Sequence, residues 1–410
     1  MLEIILALPV LFTALLSPFL KPIRTIQFII IFTGLGDAYI AAFSMFLSLF
    51  VLIYKCFIKT PIELNPTSIK YLKFSGFWLL YAFISIFWLT DYYRFLTEYI
   101  QLGLILSLLF LLIIVIKTIE DFDKIYIAFV WCGVLLSFKS VYDALNPEYV
   151  ENNYFAFICM ITCIAMPLSR LTKFSISNIS LTVLIVSIGF FGINANDSRA
   201  STLLGVLTIG VRFFFLANIK YAYKIVTVIL FLVFASLGSY LYYMSSEDNI
   251  LRSVTDVERN YSNLERLALI NQSYNIFIES PQGLGLGSSN NVFMNSMITG
   301  ENYPHPHNAL AHQAVELGLV GVLLYLFLFF NMYIVFKRML KIRKENPKLL
   351  FLYNLCLLVP LNLFLFSFLD DMFFNGVFCF YCMLFFIYIF IIEKFSQPAF
   401  VKIVNAKIYR

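Results

Sequence analysis

Apolar runs of about 20 residues recur from one end of this 410-residue chain to the other. That length carries a helix across the hydrocarbon core of a bilayer, where only helices and closed barrels satisfy their own backbone. The runs lie at approximately 2–20, 26–54, 72–90, 96–116, 125–142, 154–169, 177–193, 201–217, 225–244, 313–336, 349–369 and 374–392. They predict an all-α integral membrane protein of about 12 transmembrane helices. The second run holds Gly34, Gly36 and Asp37 and reads as one tilted helix or a broken pair. Composition agrees, because a chain that is 61% hydrophobic and 13% charged cannot cover a soluble globule with polar surface. The first run lacks a basic start and a small-residue cleavage site, so it reads as a retained helix and not a signal peptide.

With the N-terminus on the cytoplasmic side, 21 of the 29 Lys and Arg fall at cytoplasmic span ends and loops and 7 at outer ones, with Lys139 inside a span. Basic residues near span ends resist translocation, so this asymmetry sets orientation. It also accounts for the net charge of +5 without nucleic acid as a partner. The chain divides into residues 1–243 with nine spans, a long outer loop at 244–311, and residues 312–410 with three spans and a cytoplasmic tail. The seven cysteines lie in or beside apolar runs and none in the long loop, so no disulfide framework is implied. No metal-ligand spacing is present, and no metal or cofactor is expected.

Polar residues collect in three outward-facing segments. In Asn194 to Ser201, the Asn, Asp and Ser residues are good N-caps and would put Arg199 in the first turn of a helix at the outer surface. A guanidinium there suits a phosphate, on a lipid or on a bound ligand. In Leu251 to Pro281, Arg252, Arg259 and Arg266 are spaced by seven and would project from one side of a helix. The apolar stretch Leu267 to Phe277 predicts packing against the membrane domain, which would give Arg266 a buried polar partner or a ligand.

The third segment couples Gly283, Gly285 and Gly287 to Tyr303-Pro304-His305-Pro306-His307-Asn308. The glycine run alone offers close backbone approach and N–H groups, and it lacks the βαβ context of a dinucleotide site. The chain's three histidines, His305, His307 and His312, all fall within eight residues of one another before a span. Asn308 can cap the entering helix, which sets His307 beside helix-end amides that favour a neutral, proton-accepting imidazole. His307 is therefore the candidate general base, while His305 and His312 read mainly as structural hydrogen-bonders.

Two arginines and a histidine beside an aromatic-rich membrane domain suit a substrate with a lipid tail and a phosphate head. The arginines would neutralise a leaving pyrophosphate, and the imidazole would deprotonate an incoming hydroxyl. Glycosyl transfer from a polyprenyl-diphosphate carrier needs those parts and no separate energy source.

The ordered set Asp197-Ser-Arg199-Ala-Ser-Thr-Leu-Leu, Arg266-Leu-Ala-Leu with Asn275 to Gly285, and His305-Pro-His307-Asn308 with Glu316-Leu-Gly318-Leu-Val-Gly321 resembles the O-antigen ligase and polymerase superfamily. The resemblance covers Asn194 to Gly321. It implies a GT-C-like, metal-independent, inverting transfer from an undecaprenyl-diphosphate-linked glycan donor at the periplasmic face of the bacterial inner membrane. By position, Arg199 and Arg266 would hold the diphosphate and His307 would activate the acceptor hydroxyl. His305, Asn308, Arg259 and Asp370 would support the site. The acceptor would be a second lipid-linked glycan in a polymerase, or lipid A core in a ligase, and a chain-length regulator is a conceivable partner. From Met244 to Ala311, three Arg oppose seven Asp and Glu, a net of −4. That leans toward the polymerase, because lipid A core is rich in phosphate.

The rival from a non-enzyme class is a lipid-linked oligosaccharide flippase, which predicts mid-membrane charges and inverted repeats. Lys139 is the clearest isolated mid-span charge, Asp37 a weaker one, and no internal repeat is visible. A peptidoglycan polymerase of the shape, elongation and division class would rest on an acidic residue instead of a histidine and arginines.

Overall fold

The computed structural model describes residues 15–17, 19–32, 48, 50–54, 66–89, 91–145, 153–171, 176–196, 198–213, 261–293, 306–345, 350–370 and 391–393. Among these, the regular structure is helical throughout, without a strand. The helices are α1 (Pro22–Phe32), α2 (Pro66–Ile84), α3 (Tyr92–Val115), α4 (Ile119–Asp143), α5 (Asn153–Arg170), α6 (Ile176–Ala195), α7 (Arg199–Val211), α8 (Tyr261–Glu279), α9 (Ser289–Phe293), α10 (Ala309–Glu345) and α11 (Leu350–Phe366). Six of them are long and apolar enough to cross a bilayer: the segments Ser68–Phe87, Tyr92–Val115, Ile119–Asp143, Asn153–Arg170, Ser177–Ala195 and Ala309–Leu340. Helices α1, α7 and α11 are apolar but shorter. The expected spans at 2–20, 225–244 and 374–392 fall wholly or mostly outside the described residues. So does the middle of the run at 26–54, whose two ends are helical.

Apolar side chains divide between a buried core and an exposed outer surface, as lipid solvation requires. Phe122, Phe129, Phe157, Tyr325 and Phe366 are fully buried, whereas Phe77, Leu80, Trp131 and Phe330 are more than half exposed. Phe157 of α5 stacks on Phe366 of α11 with ring centroids 3.8 Å apart. Close packing of α4 on α6 depends on small residues: a Cβ on Gly192 of α6 would come within 2.6 Å of Ser137 Oγ on α4. Inside α5 the turn Met160–Ala165 is a π-helix. Pro167 has no N–H to give the Cys163 carbonyl and its ring crowds that oxygen, so the backbone widens just upstream.

Four hydrogen bonds fix how α5, α7 and α11 run. Tyr154, at the start of α5, donates its hydroxyl to Asp370 Oδ1 just past the end of α11, at 3.2 Å. At the opposite end, Asn354 Nδ2 of α11 donates to Ser169 O, at 3.1 Å. Arg212, which follows α7, donates Nε to Leu168 O at 2.8 Å and Nη2 to Leu171 O. Helix α5 is therefore antiparallel to α11, the C-terminal end of α7 lies with Ser169, and its N-terminal end, carrying Arg199, lies at the level of Tyr154 and Asp370.

 In direction, α7 is parallel to α5 and antiparallel to α11. Asn362 Nδ2 of α11 also donates to Thr208 Oγ1 of α7, at 2.7 Å, which locks the pair side by side.

Lys139 is not an isolated charge. Its ammonium lies 2.5 Å from Asp143 Oδ2, one turn on, and 5.2 Å from the centre of the Phe155 ring. Desolvating a lysine near a bilayer is costly unless it is paired, and the acid four residues later supplies the partner.

Candidate active site at the end of helix α11

The chain leaves α11 through a tight turn, Ser367 to Asp370, whose last amide still donates in helical fashion to Phe366 O, at 2.8 Å. Three other parts of the chain clasp this turn: α10 with its cap, α8 and α5. Ala309 N at the start of α10 donates to Ser367 O at 2.9 Å, and Tyr325 OH bonds Ser367 Oγ. Asn308 Nδ2 reaches Phe368 O at 3.4 Å, and Arg266 Nη1 on α8 reaches Leu369 O at 3.3 Å. His307 Nδ1 lies 3.0 Å from Asp370 Oδ1, the oxygen that also accepts from Tyr154.

Local sequence explains the precision of His307. Asn308 is the N-cap of α10, its Oδ1 accepting from Ala311 N at 2.9 Å, as its position before the span predicts. Pro306 and the cap confine the chain on either side, and His307 takes a left-handed conformation with φ 49°. Such a conformation is uncommon without glycine, and histidine is among the residues that tolerate it best. The imidazole is 17% exposed and the Asp370 carboxylate 4%. A carboxylate can only accept, so Nδ1 carries the hydrogen of this pair and leaves Nε2 as the ring nitrogen that could take a proton.

Of the residues singled out from sequence, Arg266, His307, Asn308 and Asp370 converge on this one turn. Arg199 is exposed and starts α7 after the N-cap Ser198, whose Oγ accepts from Ser201 N at 3.4 Å. It lies at the same end of the helix packing as the turn, by the antiparallel pairing of α7 with α11. Arg259 and His305 lie outside the described residues, as do Asp197 and Arg252. Arg266 is half-buried, and its Nε meets no acceptor among the described residues. The packing of α8 is narrower than its apolar sequence suggests. Leu269 packs with Phe293 and Val315, while Leu267 and Tyr274 stay more than 60% exposed.

Tyr154 is the site residue the sequence did not disclose. It begins one apolar span among many, and its pairing with Asp370 depends on how α5 and α11 lie together. The glycine run also has a role its sequence left open. Helix α10 breaks at Gly318, where φ is 59°. Leu284 N and Gly285 N donate to Val315 O and Glu316 O, at 2.8 and 2.9 Å, and Leu319 N donates to Pro281 O, at 2.8 Å. The glycines thus splint a broken membrane helix with their backbone, and the approach they allow is to protein, not to a ligand.

Sequence spacing gave no metal-ligand set, but the fold assembles one candidate group among the described residues: Glu98 of α3 with His312 and Glu316 of α10. It lies apart from the His307 side chain, deeper along α10.

A helical membrane protein with a His–Asp pair and an arginine gathered at one helix end defines a class of lipid-facing enzyme candidate. Residues 181–326, the stretch that carries Arg199, Arg266 and His307, match the family model described as O-antigen ligase. No curated protein matches the chain.

Proposed function

We propose that the protein is an inverting membrane glycosyltransferase that joins surface-polysaccharide repeat units, using an undecaprenyl-diphosphate-linked glycan as donor at the periplasmic face. The observation that carries this reading is the His307–Asp370 hydrogen bond beside Arg266, within a region matched to the O-antigen ligase family.

In the proposed reaction the acceptor hydroxyl attacks the anomeric carbon of the donor sugar. Its proton passes to His307 Nε2, the new glycosidic C–O bond forms, and the bond from the anomeric carbon to the diphosphate breaks. Undecaprenyl diphosphate leaves with the electron pair. Asp370 holds the imidazole with Nε2 toward the acceptor and stabilises the imidazolium once the proton arrives, and Tyr154 fixes the carboxylate. Arg266 and Arg199 neutralise the leaving diphosphate, the task a metal ion performs in other transferases. The unmet Nε–H of Arg266 supports that role, since a half-buried donor favours an acceptor. The outer loop at 244–311, to which α8 and the His307 turn belong, would be the catalytic segment.

The second reading is an O-antigen ligase that moves a finished glycan to lipid A core, and the description of the matching family favours it. The net −4 of residues Met244 to Ala311 favours the polymerase, because that acceptor brings fewer phosphates. The test gives the purified protein a defined undecaprenyl-diphosphate repeat unit, with or without lipid A core. Chain growth without core supports the polymerase, and transfer only with core supports the ligase. Near-normal transfer by purified His307→Ala or Arg266→Ala overturns the site assignment.

A further inference from the structure

Helix α10 carries a second polar group, one to three turns below His307, that the proposed transfer does not use. His312 and Glu316 are one turn apart, 2% and 0% exposed, with His312 Nε2 2.9 Å from Glu316 Oε1. Ser289 donates both its backbone N–H and its hydroxyl to that same oxygen, at 3.2 and 2.7 Å, and its Oγ lies 3.0 Å from His312 Nε2. From α3 comes Glu98, 8% exposed, and one ligand atom from each of Glu98, His312 and Glu316 lies within 4.8 Å of the others.

Two carboxylates withdrawn from water into one small space are costly unless a positive charge joins them. Several buried polar atoms around the cluster lack a partner among the described residues. Glu316 Oε2 meets no donor among the described residues, although its residue is fully buried. Gln313, on the same helix and fully buried, meets no partner at either Oε1 or Nε2, and neither does Oε1 of the half-buried Gln101, one turn beyond Glu98. An imidazole nitrogen, two carboxylates and a hydroxyl form the mixed nitrogen and oxygen set that zinc and its neighbours prefer over calcium or magnesium. Ligands about 2.0–2.2 Å from a tetrahedral ion stand roughly 3.3–3.6 Å from each other, a spacing that small side-chain rotations reach from these separations.

We propose that Glu98, His312 and Glu316 bind a divalent transition-metal ion of the zinc class, with Ser289 Oγ beside the fourth position. The ion is structural and not part of the transfer chemistry. It ties α3, the first turns of α10 and the end of the glycine splint into one unit, and so supports the turn that presents His307.

The test uses tag-free, full-length protein in detergent, with metal content measured after gel filtration and thermal unfolding followed with zinc chloride or a chelator. The expected result is a single zinc ion per chain, a higher unfolding temperature with zinc and a lower one after chelation, because an ion bound only by the folded state stabilises it. Glu98→Gln and Glu316→Gln keep side-chain size, and each is expected to abolish both the zinc content and the zinc-dependent rise. Should either variant aggregate, cobalt loading of the unaltered protein decides, since a four-coordinate site gives intense visible absorption and no site gives the spectrum of the aqueous ion. Unaltered protein that holds no stoichiometric metal and gains no stability from zinc overturns the proposal in favour of a proton shared between the carboxylates. Full zinc content in Glu98→Gln overturns it as well.

Discussion

His307 combines three constraints that are individually common and together demanding: a left-handed backbone, a helix cap immediately after it and a buried carboxylate on Nδ1. The carboxylate matters most for transfer. Asp370→Asn keeps the shape of the turn but offers the imidazole an amide that can present its N–H, which turns the basic nitrogen away from the acceptor. The expected loss in kcat is about 10²–10⁴-fold with KM little changed, the range of a lost general base. Steady-state transfer with purified protein measures it, and a change confined to KM would show that Asp370 serves binding. Tyr154→Phe removes one hydrogen bond to the same oxygen, worth about 0.5–1.5 kcal/mol, so kcat should fall by no more than roughly tenfold. Equal losses in the two variants would mean that Tyr154 touches substrate. At this scale the sequence was legible where function is local. The histidine cluster and Asn308 announced themselves, whereas Tyr154 and Glu98 are ordinary residues near span ends, given their partners only by helix packing.

At the scale of elements, the decisive feature is α10, a membrane helix broken at Gly318 and mended by residues from another segment. A Cβ on Gly318 would overlap the Pro281 carbonyl, and its φ of 59° is strained for any side chain. Gly318→Ala should therefore cost at least about 1–2 kcal/mol and lower the unfolding temperature in detergent. Gly76 on α2 has nothing within 4 Å of the position its Cβ would take. Gly76→Ala should be neutral or stabilising by up to about 1 kcal/mol, because a helix interior prefers alanine. Differential scanning fluorimetry on both variants checks the pair, and a Gly318→Ala protein as stable as Gly76→Ala would remove the splint from the account. The apolar runs foretold most of the described helices to within a few residues. They did not foretell the break, because a glycine in an apolar run reads equally as helix–helix contact, and only the opposing Gly283 and Gly285 give it a purpose.

For the whole molecule, the question is which face of the membrane holds the His307 turn. The charge asymmetry argues for the outer face, and α4 offers a clean way to test it. At one end of α4 lies Lys124, paired with Asp121 at 3.4 Å and exposed; just beyond the other lies Leu145, 80% exposed. At 1.5 Å per residue the two positions are about 30 Å apart along the helix, the thickness of the hydrocarbon core. The Asp143 end is also the end that holds the His307–Asp370 pair, since Lys139 sits over Phe155, next to the Tyr154 that bonds Asp370. In a cysteine-free background, Leu145→Cys should react with a membrane-impermeant maleimide on intact spheroplasts, and Lys124→Cys only after permeabilisation. The reverse pattern would invert the topology and put the His–Asp pair where a periplasmic donor cannot reach it. The assay depends on neither catalysis nor the identity of the acceptor, so it tests the positive-inside argument by itself. If the expected pattern is found, the basic residues at the far ends of the spans are accounted for as anchors. Arg199 and Arg266 would then stand on the outer face, where the proposed diphosphate would meet them.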